Sequence, residues 1–239
     1  MSRPGVFADL PRGWWFARLP GYRVEDGPSS TYNRFDLDAQ PAVLDRLRRG
    51  WGWLANRRPA ALWAITQDDD GEDRHVLASA RLDEVVGHHP VDPALRSFVE
   101  RPELQRLIRS CTGCHLDLGD FAVPIAGAPG VLCHVLSDQQ WARHWLVWCA
   151  DGQDRGTVLT STLPYGFDTG DWYPDEVPGR IDALAGSDLE VCADSFEEFC
   201  FRFWIENELH FASHDGDVSP DVQTELAWYG ERLRAGGSS

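Results

Sequence analysis

Between Ser195 and Phe211 the chain reads Ser-Phe-Glu-Glu-Phe-Cys-Phe-Arg-Phe-Trp-Ile-Glu-Asn-Glu-Leu-His-Phe, and no other stretch constrains the fold as strongly. Phe196, Phe199, Cys200, Phe203 and Trp204 recur at i, i+3, i+4, i+7 and i+8, the spacing of one buried stripe on an α-helix. Ser195 followed by Glu198 forms a capping box. Its hydroxyl accepts from an orphan backbone N–H, and the carboxylate reaches back to the cap's own N–H. Glu197 and Glu198 also suit the positive end of the helix dipole. Side chains this large on two turns need a sheet or a second layer to cover them. The stripe is a core helix, diagnostic of fold and not of chemistry.

The rest of the chain supplies that layer. Phe121–Val123, Val131–Leu136, Arg143–Ala150 and Gly156–Ser161 read as strands, the last three as a meander with tight polar turns. Asp138 sits in one of those turns as a turn-forming side chain. Ala61–Thr66 and His75–Ala80 read as a hairpin whose tip is Asp68-Asp-Asp-Gly-Glu-Asp73. Pro41–Asn56 reads as a helix with Val43, Leu44, Leu47, Trp51 and Leu54 on one side, and Pro93–Arg109 as another, open to a break at Pro102. Residues 1–40 suggest one or two short strands among long loops. Residues 162–193 form a long Pro/Gly/Asp-rich connection with a short helix near Ile181–Ala185. Ser219-Pro-Asp starts a last helix, with Val222, Leu226, Tyr229 and Leu233 on one face, and the Gly-Gly-Ser-Ser end reads as a disordered tail.

Charge and residue usage exclude whole classes of chemistry. All 22 Lys+Arg residues are arginine. Without lysine there is no Schiff-base, P-loop or general-base lysine, which removes pyridoxal enzymes and Walker-type nucleotide hydrolases. The formal net charge of −16 argues against nucleic acid and anionic membranes, which are polyanions themselves. It favours attraction to basic proteins, with plain solubility as the competing reading. No signal peptide and no apolar run approaching about 18 residues is visible, which implies a cytoplasmic protein. The six cysteines are expected to be buried free thiols in such a compartment.

Candidate catalytic and metal motifs are weak. Cys111-Thr-Gly-Cys-His115 matches a haem-attachment pattern formally, but Met1 is the sole methionine and no export signal accompanies it. With Cys133 or His134 the same residues can be read as a zinc site. A second CxxC is missing, and adjacent strand residues point to opposite faces. His210 and His214 are spaced i, i+4 but meet a Gly216 turn. The acidic tip lacks the spacing of a calcium loop. No nucleophile elbow or phosphate loop occurs. Glu206, Asn207 and Glu208 end the long helix, either lining a groove or solvated. The expectation is therefore no catalysis, no cofactor and no metal.

The helix from Ser195, together with Leu136-Ser-Asp-Gln-Gln140, Trp145-Leu-Val-Trp148, Asp151-Gly152 and Val158 to Ser161, resembles bacterial members of the SUKH superfamily. That group comprises cell-wall-synthesis regulators of the Smi–Knr type and bacterial toxin-immunity proteins. The matching patches span residues 131–211, about a third of the chain, and the first 60 residues match nothing nameable. The resemblance implies an α+β fold with a mostly antiparallel mixed sheet covered by helices. It implies a SUKH-like domain over 1–212, with a C-terminal helix and tail over 213–239. By the same analogy the chain is a non-catalytic immunity protein that occludes a toxin domain, or a regulatory scaffold of the same fold. A small metal-dependent enzyme using the Cys/His cluster is the third reading. The acidity favours a basic toxin domain as partner. The contact residues are then Asp68, Asp69, Asp70, Glu72 and Asp73 at the tip, or Asp168, Asp171, Asp175 and Glu176 in the long loop, with an aromatic N-terminal surface around Trp14 and Trp15 as the competitor.

Overall fold

A tight polar turn at Asp138 folds the two most apolar runs of the chain onto each other. Asp138 Oδ1 accepts from the backbone N–H groups of Ala142 (2.6 Å) and Arg143 (3.0 Å), and its own N–H donates to the Arg143 carbonyl. The turn residue read in the sequence is thus in place. The computed structural model describes residues 5–17, 32–40, 42–43, 47, 51–54, 57, 59, 62–68, 70–150, 156–168, 179–215 and 220–236.

In chain order the elements are β1 (Gly13–Ala17), β2 (Tyr32–Asp36), α1 (Ser79–Val86), α2 (Pro93–Val99), α3 (Pro102–Gln105), β3 (His115–Leu116), β4 (Val123–Pro124), β5 (Gly130–Ser137), β6 (His144–Ala150), β7 (Val158–Ser161), β8 (Glu190–Ala193), α4 (Phe196–Asp215) and α5 (Pro220–Gly236). The main sheet runs β3-β5-β6-β7-β8, with β4 also paired to β5, and each of these ladders is antiparallel. β1 and β2 form a separate antiparallel pair, joined to β8 by a parallel bridge from Arg12 to Val191. This is the α+β architecture expected from the sequence.

Every residue of β5, β6 and β7 is buried, because both faces of the sheet are covered. On one face Trp145 packs against Phe199 and Phe203 of α4, with ring centroids 6.1 and 6.2 Å apart. On the other lie the 117–122 and 162–168 loops. They touch where Gly119 meets Gly166: a Cβ on Gly119 would come within 2.5 Å of the Gly166 carbonyl. Asp188 holds the second loop by accepting from Ser161 Oγ (2.6 Å), Thr162 N (2.7 Å), Thr162 Oγ1 (2.8 Å) and Tyr165 (3.2 Å). Burial works against its charge, and these hydrogen bonds outweigh it, holding the carboxyl below its ordinary range.

The core helix departs from a single stripe. All residues from Phe196 to Asn207 are buried except the half-buried Glu197, including Phe201, Arg202, Ile205 and Glu206. Trp53 covers the side facing away from the sheet, 5.1 Å from Phe201 and 5.3 Å from Trp204, and α5 adds Tyr229. Ser195 Oγ does accept from the Glu198 N–H at 3.2 Å, while the Glu198 carboxylate accepts from Arg202 at 3.2 Å instead of closing the capping box.

Other elements differ from expectation. The Ala61–Thr66/His75–Ala80 hairpin keeps its turn, bonded Asp68 N to Glu72 O and His75 N to Thr66 O, but not two regular strands. Its second half runs into α1, which the apolar run concealed. Much of Pro41–Asn56 lies outside the described residues. Ala42, Val43 and Leu47 are not helical, and Trp51–Leu54 form a turn in which Trp51 has φ of 69°. Pro93–Arg109 breaks at Pro102 into α2 and α3 as anticipated. Ile181 bridges Ile125 where a short helix was expected, and β8 was not foreseen. α4 continues across residue 213 to Asp215, Pro220 starts α5, and Ser219 and the last three residues lie outside the described set.

Candidate functional site

The acidic turn neutralises much of itself. Asp68 Oδ1 accepts from the N–H groups of Asp70 (3.0 Å) and Glu72 (2.9 Å), which lowers its pKa, and Arg74 lies 2.9 Å from its other oxygen. Arg74 also pairs with Glu72 at 2.8 Å. Asp73 accepts from Thr66 Oγ1 at 2.7 Å and from Arg106 at 2.6 Å, which hold its carboxyl below the usual range. Asp70, Glu72 and Asp73 are exposed and Asp68 is half-buried; Asp69 lies outside the described residues. Asp68, Glu72 and Asp73 therefore pair with the guanidinium groups of Arg74 and Arg106, which leaves a net negative but locally paired rim.

Beside it stands a feature the sequence reading treated as strand interior. Leu62 and Trp63 are 65 % and 59 % exposed. Trp63 has φ of 66°, a backbone region that bulky residues avoid. The next residues are anchored: Ile65 N donates to Ile108 O, Leu116 N to Ile65 O, and Ser110 N to Trp63 O. Ile65 and Thr66 are buried. A firmly held segment thus presents an indole and an isobutyl group to solvent at the entry to the acidic turn. Alternation along a strand would have buried one of the two, so periodicity could not find them.

The second acidic set is only partly placed. Asp168 is exposed, and its N–H donates to Asp120 at 2.9 Å. Asp171, Asp175 and Glu176 lie outside the described residues. The competing aromatic surface does not exist as one: Trp14 is buried at 1 % exposure, and Trp15 lies half-buried under the Arg143 guanidinium, 3.7 Å from its ring.

Under the 162–168 loop, β5 and β6 bring together His134, Ser137 and His144, all fully buried. His134 Nε2 and His144 Nδ1 are 3.3 Å apart, and Ser137 Oγ is 3.2 Å from each. The outer nitrogens face backbone carbonyls, His134 Nδ1 toward Asp117 (2.9 Å) and His144 Nε2 toward Trp141 (3.1 Å). Phe167 packs edge-on to His134 at 4.5 Å and tilts against Trp141 at 5.2 Å. Burial lowers the pKa of His134 to about 3 and of His144 to about 4, so both rings are neutral at pH 7.

The cysteine-based grouping is not assembled. Cys114 Sγ lies 3.3 Å from the Tyr32 hydroxyl and 3.2 Å from Thr112 Oγ1, and His115 packs tilted against His75 with centroids 4.4 Å apart. Cys133 is buried within β5. Among the described residues no three His, Cys, Asp or Glu side chains converge as a metal-ligating group. The six cysteines are free, and burial pushes the Cys111 and Cys149 thiols up to about 12 and the others upward too, away from nucleophilic thiolate. His210 is half-buried and edge-on to Phe211; the His214 side chain lies outside the described set.

Glu206, Asn207 and Glu208 do not end the long helix, which continues to Asp215, and they are neither groove nor solvated surface. Asn207 Oδ1 accepts from Cys111 N at 2.6 Å, and Glu208 accepts from Arg109 Nε and Nη2, each at 2.9 Å. Glu206 is buried, accepting from Trp14 Nε1 (2.6 Å) and from the Tyr229 hydroxyl. Its surroundings are structural ties between β1, α4 and α5. The described residues include no helix long and apolar enough to cross a membrane. No family model, curated protein or solved structure matches the chain.

Proposed function

We propose that this protein is a non-catalytic binding module that docks a basic protein domain through Leu62, Trp63 and the adjoining acidic turn, as an immunity protein of SUKH type does with a toxin domain. The observation that carries the reading is Trp63. An indole 59 % exposed, held at positive φ on an anchored segment, contributes little to the core and has the character of an interface hot spot. The neighbouring Asp70, Glu72 and Asp73, with the formal net charge of −16, supply the electrostatic complement to a basic partner. The buried thiols supply no activated nucleophile, which favours binding over covalent chemistry.

The test is kinetic and uses a purified basic toxin domain, taken from the neighbouring gene where that gene encodes one. Association should slow about 10-fold or more between low and physiological salt while dissociation changes less. Replacing Asp68, Asp69, Asp70, Glu72 and Asp73 with Asn and Gln should slow association further. Trp63→Ala should act on dissociation. Binding that ignores salt and survives Trp63→Ala places the interface elsewhere and removes this reading.

A further inference from the structure

We propose that the interface read at Trp63 continues across the 110–114 loop to Trp141, so that one basic partner domain is held by two tryptophans with carboxylates beside each. The proposal rests on the partner-binding reading and adds to it a second anchor and the extent of the surface.

Among the described residues three large hydrophobic side chains are exposed, Leu62, Trp63 and Trp141, and all three fall on this rim. Trp141 is 39 % exposed and has φ of 56°. It repeats the combination found at Trp63, an open indole in a backbone region that bulky residues avoid. It too is firmly held. Its N–H donates to Asp138 O at 3.0 Å, and its carbonyl faces His144 Nε2 at 3.1 Å. Its ring lies edge-on to His144 (5.6 Å) and tilted against Phe167 (5.2 Å). Glycine or asparagine would suit such a turn without strain, and backbone strain of this kind collects at binding sites.

The two indoles are joined by a continuous surface. Ser110 N donates to Trp63 O at 2.9 Å, and Ser110 Oγ fixes the loop by accepting from Cys114 N (2.9 Å) and Thr112 N (3.3 Å). Gly113 then lies against Gln139: a Cβ there would come within 2.7 Å of Gln139 Oε1. Gln139, itself exposed, is two residues from Trp141. Even fully extended, 110–113 and 139–141 reach only about 11 and 7 Å, so with the two close contacts the tryptophan backbones lie within about 30 Å. A standard interface covers about 800 Å² per partner, roughly 30 Å across, so one domain spans both.

Charge selects the occupant. Asp70, Glu72 and Asp73 are exposed near Trp63, and Asp168, next to Phe167, is exposed near Trp141. The arginines of the rim are already engaged: Arg74 by Asp68 and Glu72, Arg106 by Asp73, Arg81 by Glu84 and Asp120, and Arg109 by Glu208. The surface is therefore negative at both ends, with a tryptophan at each. Asp168 and the acidic turn, alternatives in the sequence, then belong to one face. A second copy of this chain brings the same sign, with a formal net charge of −16, and is repelled, whereas a basic domain is attracted.

The full-length chain and the same purified basic toxin domain supply the test. Trp141→Ala should raise the dissociation rate about 10-fold or more with association unchanged, and the effect should multiply with that of Trp63→Ala. Asp168→Arg should slow association about 3-fold or more at low salt, whereas Glu231→Arg, the same charge change on an exposed position of α5, should slow it less. Should Trp141→Ala fail to fold, the indole N–H signals of the wild-type chain decide: complex formation should shift those of Trp63 and Trp141 and spare that of the buried Trp148. Trp141→Ala that binds as wild type, or an unmoved Trp141 signal, while Trp63→Ala weakens binding, confines the interface to Trp63. That outcome overturns the proposal and leaves the partner-binding reading standing. Failure of the wild-type chain to bind removes both. A chain that dimerises in sedimentation and loses the dimer with Trp141→Ala puts a second copy on this face and likewise overturns the proposal.

Discussion

Tyr229 of α5 donates its hydroxyl proton to the Glu206 carboxylate of α4 where neither side chain reaches solvent. Trp14 Nε1 donates to the other oxygen, and Arg202 contacts both the Tyr229 hydroxyl (3.4 Å) and Glu198 (3.2 Å). Three elements distant in sequence thus share one buried polar knot. Tyr229→Phe removes one donor and should cost about 1–3 kcal/mol in urea denaturation with the fold retained. Glu206→Ala strands two buried donors, Trp14 Nε1 and the Tyr229 hydroxyl, and should cost about 2–6 kcal/mol. Equal stability of all three proteins would falsify the knot.

Glu206 also gives a pH dependence with a definite sign. Burial raises its pKa from the ordinary 4.5 to about 7, against the pull of Tyr229, Trp14 and Arg202. The folded chain therefore holds this proton more tightly than the unfolded chain. The stabilisation is fully present below pH 4.5 and is lost as pH rises through 7, a change of about 3 kcal/mol over that window. Glu206→Gln mimics the protonated form, so its advantage over wild type should grow between pH 5 and pH 8. Urea midpoints for both proteins at the two pH values decide it; parallel behaviour means the carboxyl does not titrate there.

Trp204 and Phe199 sit on opposite sides of the helix, one against Trp53 and one against Trp145 and Trp14. Each should cost about 3–5 kcal/mol on truncation to Ala, through lost burial and an unfilled cavity. Ser195→Ala, which loses only the single cap bond to Glu198 N, should cost about 1 kcal/mol. Chemical denaturation that ranks Ser195 with the aromatics would contradict the packing.

The thiols give a prediction independent of denaturant curves. Five cysteines are buried and Cys111 is half-buried. An alkylating reagent at neutral pH should label Cys111 first and slowly, and reach all six after unfolding without reductant. Rapid native labelling of Cys200 or Cys192 would mean that α4 does not cover the sheet as described.

The period of 3.6 exposed α4, and apolar runs flanking Ser-Asp-Gln-Gln exposed β5 and β6, because those signals are local. What periodicity could not separate was Val76–Ala80: an apolar run of that length fits a strand or a helix start, and the chain enters α1 there. Glu206 read as either lining a groove or solvated, because its burial beside Arg202 depends on α5, which lies further along the chain. The histidine cluster was hidden for a geometric reason. His134 and Ser137, three apart, should face opposite sides of a regular strand. The register shift between His134 and Leu136 turns both to the side of His144. Trp63 escaped notice because its exposure follows from a positive φ, which an indole gives no reason to expect.

That same φ separates stability from function at one position. Holding a bulky residue at φ of 66° costs about 1–2 kcal/mol, and a side chain 59 % exposed regains little of it through burial. Glycine adopts the conformation freely but loses more backbone entropy on folding, by up to about 1 kcal/mol. Trp63→Gly should therefore leave the fold unchanged or stabilise it by about 1 kcal/mol, where truncation of the buried Trp53 destabilises by about 3–5 kcal/mol. If Trp63 is the anchor of a partner interface, the same substitution should raise the dissociation rate about 30-fold, the loss of one hot spot of about 2 kcal/mol. Fold stability is then held or raised while affinity for the partner falls, both measured on one variant. A Trp63→Gly chain that is much less stable makes the indole part of the core, and one that binds its partner unchanged takes Trp63 out of the interface.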